Sequence, residues 1–353
     1  MTCAHDPLRM TAGSITAGRL TPAQVTGVLA VAEAARAADG VAPLSEPVLL
    51  HLRHDGSAPG TAESPGTAER PGLDRDLILT VNGRTVGYAH LDAAPGAAGT
   101  DVTGELVIHP DHRGKGLGLA LVRALTAEAD GHPVRLWAHG DLPAAARLAR
   151  AAGFDRVRAL WQMRRSLGGR LDRPRFPPGI TLRSFRPGQD EDGWLSLNRR
   201  AFAGHPEQGA WTRRDLELRE REPWFDPAGF FIAERNGAMA GFHWTKVHGP
   251  ADTGIGEVYV VGVDPGEQGA GLGRALTLAG LRYLQGRGLA EVMLYVDEAN
   301  VPAIRLYEAL GFARWRTDAM YGASPGGRPP GTPRDWGDPS PRTPLGPLGP
   351  GAS

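Results

Sequence analysis

Gln268-Gly269-Ala270-Gly271-Leu272-Gly273, preceded by Val260-Val261-Gly262-Val263-Asp264-Pro265, decides how this chain reads. A β-branched run stops at a proline, and a glycine-rich loop then opens an apolar stretch with helical spacing. The pattern predicts a strand, a tight turn, and a helix whose first turn presents bare backbone N–H groups. The same phrase stands earlier, as Arg113-Gly114-Lys115-Gly116-Leu117-Gly118 behind Glu105-Leu106-Val107-Ile108-His109-Pro110. Each loop is followed at similar distance by a Gly-Phe pair, Gly153-Phe154 and Gly311-Phe312. Landmarks that recur in the same order mean two copies of one fold.

The chain has 353 residues, enough for two ordinary domains, and its 41% apolar content can supply two cores. Its formal net charge is zero, which argues against a nucleic-acid partner. No apolar stretch reaches the length of a membrane span, and the N-terminus lacks the pattern of a secretion signal. Cys3 is the sole cysteine, so no internal disulfide is possible; the cytoplasm is the expected compartment. There are two lysines, Lys115 and Lys246, against 37 arginines. A lysine that persists under such a bias is a candidate for work that a planar guanidinium cannot do.

Along the chain, residues 1–18 read as a loose start. Thr21-Pro22 caps a helix carried by Val25, Val28, Leu29, Ala32 and Ala35. Residues 55–73, rich in small residues and proline, read as a flexible insertion. Asn82-Gly83 joins one pair of strands and Asn236-Gly237 another. The expected architecture is α/β. It has a first domain at 19–165, a linker at 166–179, a second domain at 180–323, and a disordered Pro/Gly-rich tail at 324–353.

The loops suit a phosphate. Glycines adopt positive φ and let a ligand approach the backbone, and the helix N-terminus behind them favours negative charge. A dinucleotide fingerprint would need Gly-x-Gly-x-x-Gly in the first βα turn and an acid about twenty residues on. A Walker loop would end in Gly-Lys-Ser/Thr. Neither pattern is present.

The Arg/Gln-x-x-Gly-x-Gly loop behind a strand, with its distal Gly-Phe, resembles the GCN5-related N-acetyltransferase (GNAT) family across both halves. The resemblance implies two tandem domains, each a mixed, largely antiparallel sheet flanked by helices, with acetyl-CoA as cosubstrate and no metal. It implies cofactor contacts at Val261, Gly262 and Val263, at Gln268, Gly269, Ala270, Gly271, Leu272, Gly273 and Arg274, and at Asn300, Val301, Pro302, Ala303, Ile304 and Arg305. In the first half the counterparts are Leu106, Val107 and Ile108, then Gly114, Lys115, Gly116, Leu117, Gly118 and Leu119. Aligning the halves sets Glu257 opposite Val102 and Tyr307 opposite Ala149. Members of the family use a carboxylate and a tyrosine at such positions as proton acceptor and proton donor. Glu257 and Tyr307 are therefore the expected catalytic pair, and the first half is expected to be degenerate.

Three further segments narrow the acceptor: Asp39–Glu46, Ala201–Thr212 and Gly241–Lys246. With Gly256–Pro265 they resemble the tandem members of the family that acetylate the cysteinyl amine of a cysteinyl-glucosaminyl-inositol. That resemblance implies a small-molecule acceptor held by Glu46, Glu207, Lys246, Glu257 and Tyr295 in a pocket between the halves. Carboxylates suit an ammonium and sugar hydroxyls. A monomer is expected, with no membrane partner. Two other readings remain open: a tandem GNAT acting on another amine or an antibiotic, and a non-catalytic acyl-CoA sensor.

Overall fold

The structure, a computed structural model, describes residues 13–54, 75–93, 101–204, 206–250 and 254–322. Cys3, the insertion at 55–73, the tail from 324 and the Glu207 side chain lie outside the described residues.

The first half runs β1 (Ser14–Ala17), α1 (Pro22–Asp39), α2 (Glu46–His54), β2 (Arg75–Val81), β3 (Arg84–Ala93), β4 (Val102–Ile108), α3 (Leu117–Glu128), β5 (Val134–Ala138), α4 (Pro143–Ala151) and β6 (Asp155–Ser166). The second runs β7 (Ile180–Ser184), α5 (Glu191–Ala201), α6 (Pro206–Gly209), α7 (Arg213–Glu220), β8 (Phe230–Arg235) and β9 (Ala238–His248). It continues with β10 (Ile255–Val263), α8 (Leu272–Gly286), β11 (Glu291–Asp297), α9 (Val301–Ala309) and β12 (Ala313–Gly322). Helix α1 starts as expected: the Thr21 hydroxyl accepts from Gln24 N, and the Gln24 side chain returns to Thr21 N.

The start of the chain differs from expectation. Residues 14–17 form an edge strand, with Ser14 opposite Thr80 and Ala17 opposite Leu77. Ser-Ile-Thr-Ala is too short and too little patterned to announce itself; its pairing with β2 supplies the order.

Among the described residues all the strands join one 12-stranded sheet in the order β1-β2-β3-β4-β5-β12-β6-β11-β10-β9-β8-β7. The final strand of each half has changed sides. β12 pairs with β5 of the first half, Ala319 opposite Ala138. β6 pairs with β11 of the second, Gln162 opposite Tyr295. The exchanged strands also pair with each other, from Ala313–Arg164 to Gly322–Asp155. The halves are thus woven together rather than tethered.

Alternation along the strands sends neighbours to opposite faces. Ile78 packs with Val28, Val48 and Leu52 under α1 and α2, while Leu77 and Leu79 pack with Leu121 and Leu125 of α3. In the second half Val260, Phe242 and Trp244 meet Trp194 and Leu216 of α5 and α7. Val258 and Leu294 meet Leu281 of α8 and Ile304 of α9 on the other face. So α1, α2, α5 and α7 share one face of the sheet, and α3, α4, α8 and α9 share the other. Fully burying one such Leu, Ile, Val or Phe is worth about 1.5–3 kcal/mol.

Candidate active site

Among the described residues the parallel pairings are β4–β5 and β10–β11, and each is short. β10 meets β11 only from Gly256–Val292 to Val258–Leu294. β4 meets β5 only from Val102–Val134 to Gly104–Leu136. Beyond those points the strands part, so Val261–Val263 and Leu106–Ile108 each turn one backbone edge into a gap. A register shift between Val258 and Val260 bulges β10 where its gap opens.

The glycine-rich loops close the far ends of the gaps alike. Gly271 (φ 85°) and Gly116 (φ 78°) take the left-handed conformation at the N-caps of α8 and α3. A Cβ built on Gly269, Gly271, Gly114 or Gly116 meets nothing within 4 Å, so the loops face open space. The first residue of each motif reaches back to the preceding strand: Gln268 Nε2 donates to Val263 O at 3.3 Å and Arg113 Nε to Ile108 O at 3.1 Å. Exposed N–H groups before a helix N-terminus fit the pyrophosphate of an acyl-CoA. An extended edge beside them fits its amide-bearing arm.

Glu257 lies on β10 just before the bulge, 6% exposed, opposite Lys246 of β9 and Met293 of β11. Its Oε2 is 2.5 Å from His248 Nε2. Lys246 is buried too, its ammonium donating to Glu46 Oε1 and lying 4.2 Å from the Trp224 ring centroid. Glu46 opens α2 of the first half, so this contact crosses between the halves. Its Oε2 accepts from Tyr259 OH at 2.6 Å, and Tyr259 OH accepts from Arg219 Nε at 2.7 Å. Burial alone would raise the Glu46 pKa; Lys246 and Arg219 outweigh it and hold the carboxyl below its ordinary value. Both its oxygens are taken, so Glu46 serves at least as the anchor of Lys246.

Tyr307 sits on α9 with Phe312 packed edge-on at 5.9 Å. Burial pushes its pKa up to about 12, so it stays protonated at neutral pH. Among the described residues its hydroxyl has no hydrogen-bond partner. Tyr295 on β11 is 42% exposed, and its hydroxyl accepts from Gln162 Nε2 of β6 at 2.9 Å. Its pKa is raised, first by desolvation of the hydroxyl and then by Glu257 and Asp318.

Residues 194–312 match the acetyltransferase (GNAT) family, and residues 74–156 match the acetyltransferase (GNAT) domain. A mycothiol acetyltransferase from Thermobispora bispora is 56% identical over 306 residues, covering 86% of this chain and 97% of that protein. One from Thermomonospora curvata is 56% identical over 307 residues, covering 87% and 96%. The chain belongs to the mycothiol acetyltransferase family. It is an acetyl-CoA-dependent N-acetyltransferase of two GNAT domains. Among solved structures, a tandem GNAT protein from the clavulanic acid biosynthesis pathway shares the fold, with TM-score 0.61 and 23% identity over 89% of this chain and 99% of that one. Among the described residues no helix is long and apolar enough to cross a membrane.

Within this mycothiol acetyltransferase-family chain, the second-half cofactor candidates fall around one gap. Val261–Val263 form its edge, Gln268–Gly273 its far end, and Asn300–Arg305 the start of α9, where Asn300 Oδ1 accepts from Ala303 N at 3.2 Å. Leu272 is 1% exposed, so its side chain belongs to the core and only its backbone faces the loop. Arg274 points to Asp172 at 3.2 Å. Lys115 donates to Asp111 O at 2.8 Å, inside its own loop. Glu207 lies in α6.

Sequence reasoning missed Tyr259, Arg219 and Gln162, whose roles come from pairing partners far along the chain, and His248, whose partner Glu257 lies across the β9–β10 hairpin. It also missed two polar clusters on the first half's α1–α2 face. In one, Asp76 accepts from Tyr88 OH at 2.6 Å and lies 2.9 Å from His51 Nε2 and 3.0 Å from His90 Nδ1. Burial would raise the Asp76 pKa, but His51 and His90 drive it below the usual carboxylate range. No metal was expected, although these ligand types within 4.8 Å of one another could hold one. The other cluster is Glu105, His139 and Asp318.

Proposed function

We propose that this chain transfers the acetyl group of acetyl-CoA to the cysteinyl amine of 1D-myo-inositol 2-(L-cysteinylamino)-2-deoxy-α-D-glucopyranoside, giving mycothiol and CoA. One observation carries the choice of acceptor: 56% identity along 97% of a protein named mycothiol acetyltransferase.

The chemistry is assigned to the second half, residues 180–323. Gln268–Arg274 and α8 hold the pyrophosphate, Val261–Val263 the arm, and Asn300–Arg305 flank it. Glu257 takes a proton from the acceptor ammonium, directly or through water, and the neutral amine attacks the thioester carbon. A β10 N–H at the gap stabilises the oxyanion. The C–S bond then breaks, Tyr307 gives its proton to the departing thiolate, and the second proton shed by the acylated nitrogen goes to solvent, from which the tyrosinate is reprotonated. Glu46, Glu207, Lys246 and Tyr295 bind the acceptor. The first half, 19–165, lacks both proton-transfer groups: once the β10 bulge is counted, the strand pairings put Thr103 rather than Val102 opposite Glu257, and Ala149 stands opposite Tyr307. It keeps a cradle at Leu106–Ile108 and Gly114–Leu119 that suits a second acetyl-CoA. Residues 166–179 join the halves.

The test is incubation with acetyl-CoA and the cysteinyl-glucosaminyl-inositol, reading thiol release with a disulfide dye and the product by mass. Turnover of puromycin or an aminoglycoside instead, or CoA binding without turnover of any amine, would replace this reading.

A further inference from the structure

The α1–α2 connection, residues 40–45, is pinned at both ends. Arg113, the first residue of the first half's glycine-rich loop, grips Asp39 through both carboxylate oxygens at 2.7 and 2.8 Å. Arg316 of the exchanged strand β12 donates to Gly40 O at 2.5 Å. A Cβ on Gly140 would stand 3.0 Å from Val41. At the other end, Ser45 N donates to Glu105 Oε2 at 2.7 Å. Ser45 O accepts from Leu49 N at 3.1 Å, so Ser45 sets the start of α2. The next residue is Glu46, whose carboxylate anchors Lys246 and Tyr259 beside Glu257.

Glu105 is 5% exposed on β4, where the first-half gap opens. Its Oε1 lies 3.5 Å from His139 Nε2, and His139 Nδ1 lies 3.0 Å from Asp318 Oδ2. Asp318 Oδ1 accepts from Gly140 N at 2.8 Å. The three side chains come from β4, the turn after β5, and β12. Without His139 two buried carboxylates would face each other; with it, Glu105 is fixed on both sides, one oxygen toward Ser45. A buried ionic triad is poor value for stability alone, and its best-attested use is to specify one arrangement. Here the arrangement it specifies ends at the acceptor pocket.

We propose that Glu105, His139 and Asp318 are positioning residues for the acetyl transfer: they hold Ser45, and through it Glu46, in register with Lys246 and Tyr259 of the second half. The first half is then more than a worn copy of the second. Its β4 and its glycine-rich loop clamp a strap that carries a wall of the other half's acceptor site.

This rests on the proposed acceptor reaction, and the wild-type assay separates the two: no turnover of the cysteinyl-sugar amine by wild type sinks that reaction. Given wild-type turnover, the full-length Glu105→Ala variant should raise the acceptor KM roughly tenfold, with acetyl-CoA KM and kcat moving less than about threefold. Glu105→Gln, whose amide oxygen still accepts from Ser45, should restore the acceptor KM to within about threefold of wild type. If Glu105→Ala does not fold, His139→Gln carries the same expectation, because it frees Glu105 on one side. An unchanged acceptor KM in a folded variant overturns the proposal. So does a Glu105→Gln variant as impaired as Glu105→Ala, or a joint shift of both KM values and kcat that follows lost folded protein.

Discussion

Glu257→Gln removes one charge and one proton acceptor at nearly constant volume. The site should survive it: Lys246 keeps its ion pair with Glu46, and the amide oxygen can still accept from His248. The cofactor cradle at Gln268–Gly273 belongs to a loop that Glu257 does not contact. Acetyl-CoA KM should therefore stay within about twofold, while kcat falls by about 10²–10⁴, the usual worth of a positioned base. Each tenfold loss is about 1.36 kcal/mol, so the barrier rises by roughly 3–5 kcal/mol. pH supplies a sharper signature. An α-amine has a pKa near 8, so its neutral fraction is about 1% at pH 6 and about 90% at pH 9. Wild type takes up the ammonium and deprotonates it on the enzyme, so its kcat/KM should be flat over much of that range. The variant must capture the amine already neutral, so its kcat/KM should climb close to a hundredfold from pH 6 to pH 9. Thiol release with a disulfide dye, against CoA and acceptor blanks, measures both slopes. Equal slopes, or an unreduced rate, would remove Glu257 from proton transfer.

Four further outcomes are expected. Tyr307→Phe should slow CoA release by about 10–100-fold and leave the melting temperature unchanged, because its hydroxyl has no hydrogen-bond partner among the described residues; an unaltered rate refutes the acid role. Glu46→Ala strands a buried ammonium at Lys246 and should destabilise the chain by about 3 kcal/mol, read by urea unfolding, besides raising acceptor KM. Gly280→Ala would put a Cβ 2.0 Å from His243 Cε1, where α8 lies on β9, and should cost about 2–3 kcal/mol in the same measurement. His139 gives a pH dependence. Burial disfavours its charged form, but Glu105 and Asp318 outweigh that and hold its pKa at about 10. Its folded value exceeds the unfolded value of about 6.5, so its stabilisation is whole below that pH and is lost as pH rises toward 10. Urea midpoints should fall more between pH 6 and pH 9.5 for wild type than for His139→Gln.

The parts of the site that could be read from sequence are those where a residue type answers a local demand. Gly116 and Gly271 had to be glycines to cap a helix in left-handed conformation, and Thr21 announced α1 through its hydroxyl. The pair Glu46–Lys246 spans 200 positions, and no spacing rule joins them. Glu46 had to be found inside a longer resemblance, and Lys246 stood out otherwise only as one of two lysines. The strand exchange left no trace either, because β6 and β12 alternate alike whichever neighbour they choose. Glu105 was hidden by the alignment of the halves, which looked for a carboxylate opposite Glu257 and found Val102. His139 and Asp318 acquire meaning only once β12 lies beside β5.

That exchange bears on how the molecule is made. The vacancy between β5 and β6 is filled by residues 313–322, and β11 lacks its outer neighbour without β6. During synthesis, therefore, the amino-terminal portion must wait with raw sheet edges until nearly all of the folded sequence has left the ribosome. Most of its closing contacts are distant in sequence, which makes for slow folding and a vulnerable nascent chain. A gene cut between the two copies would yield fragments with unpaired edges, soluble together if at all, rather than a working acetyltransferase and a spare.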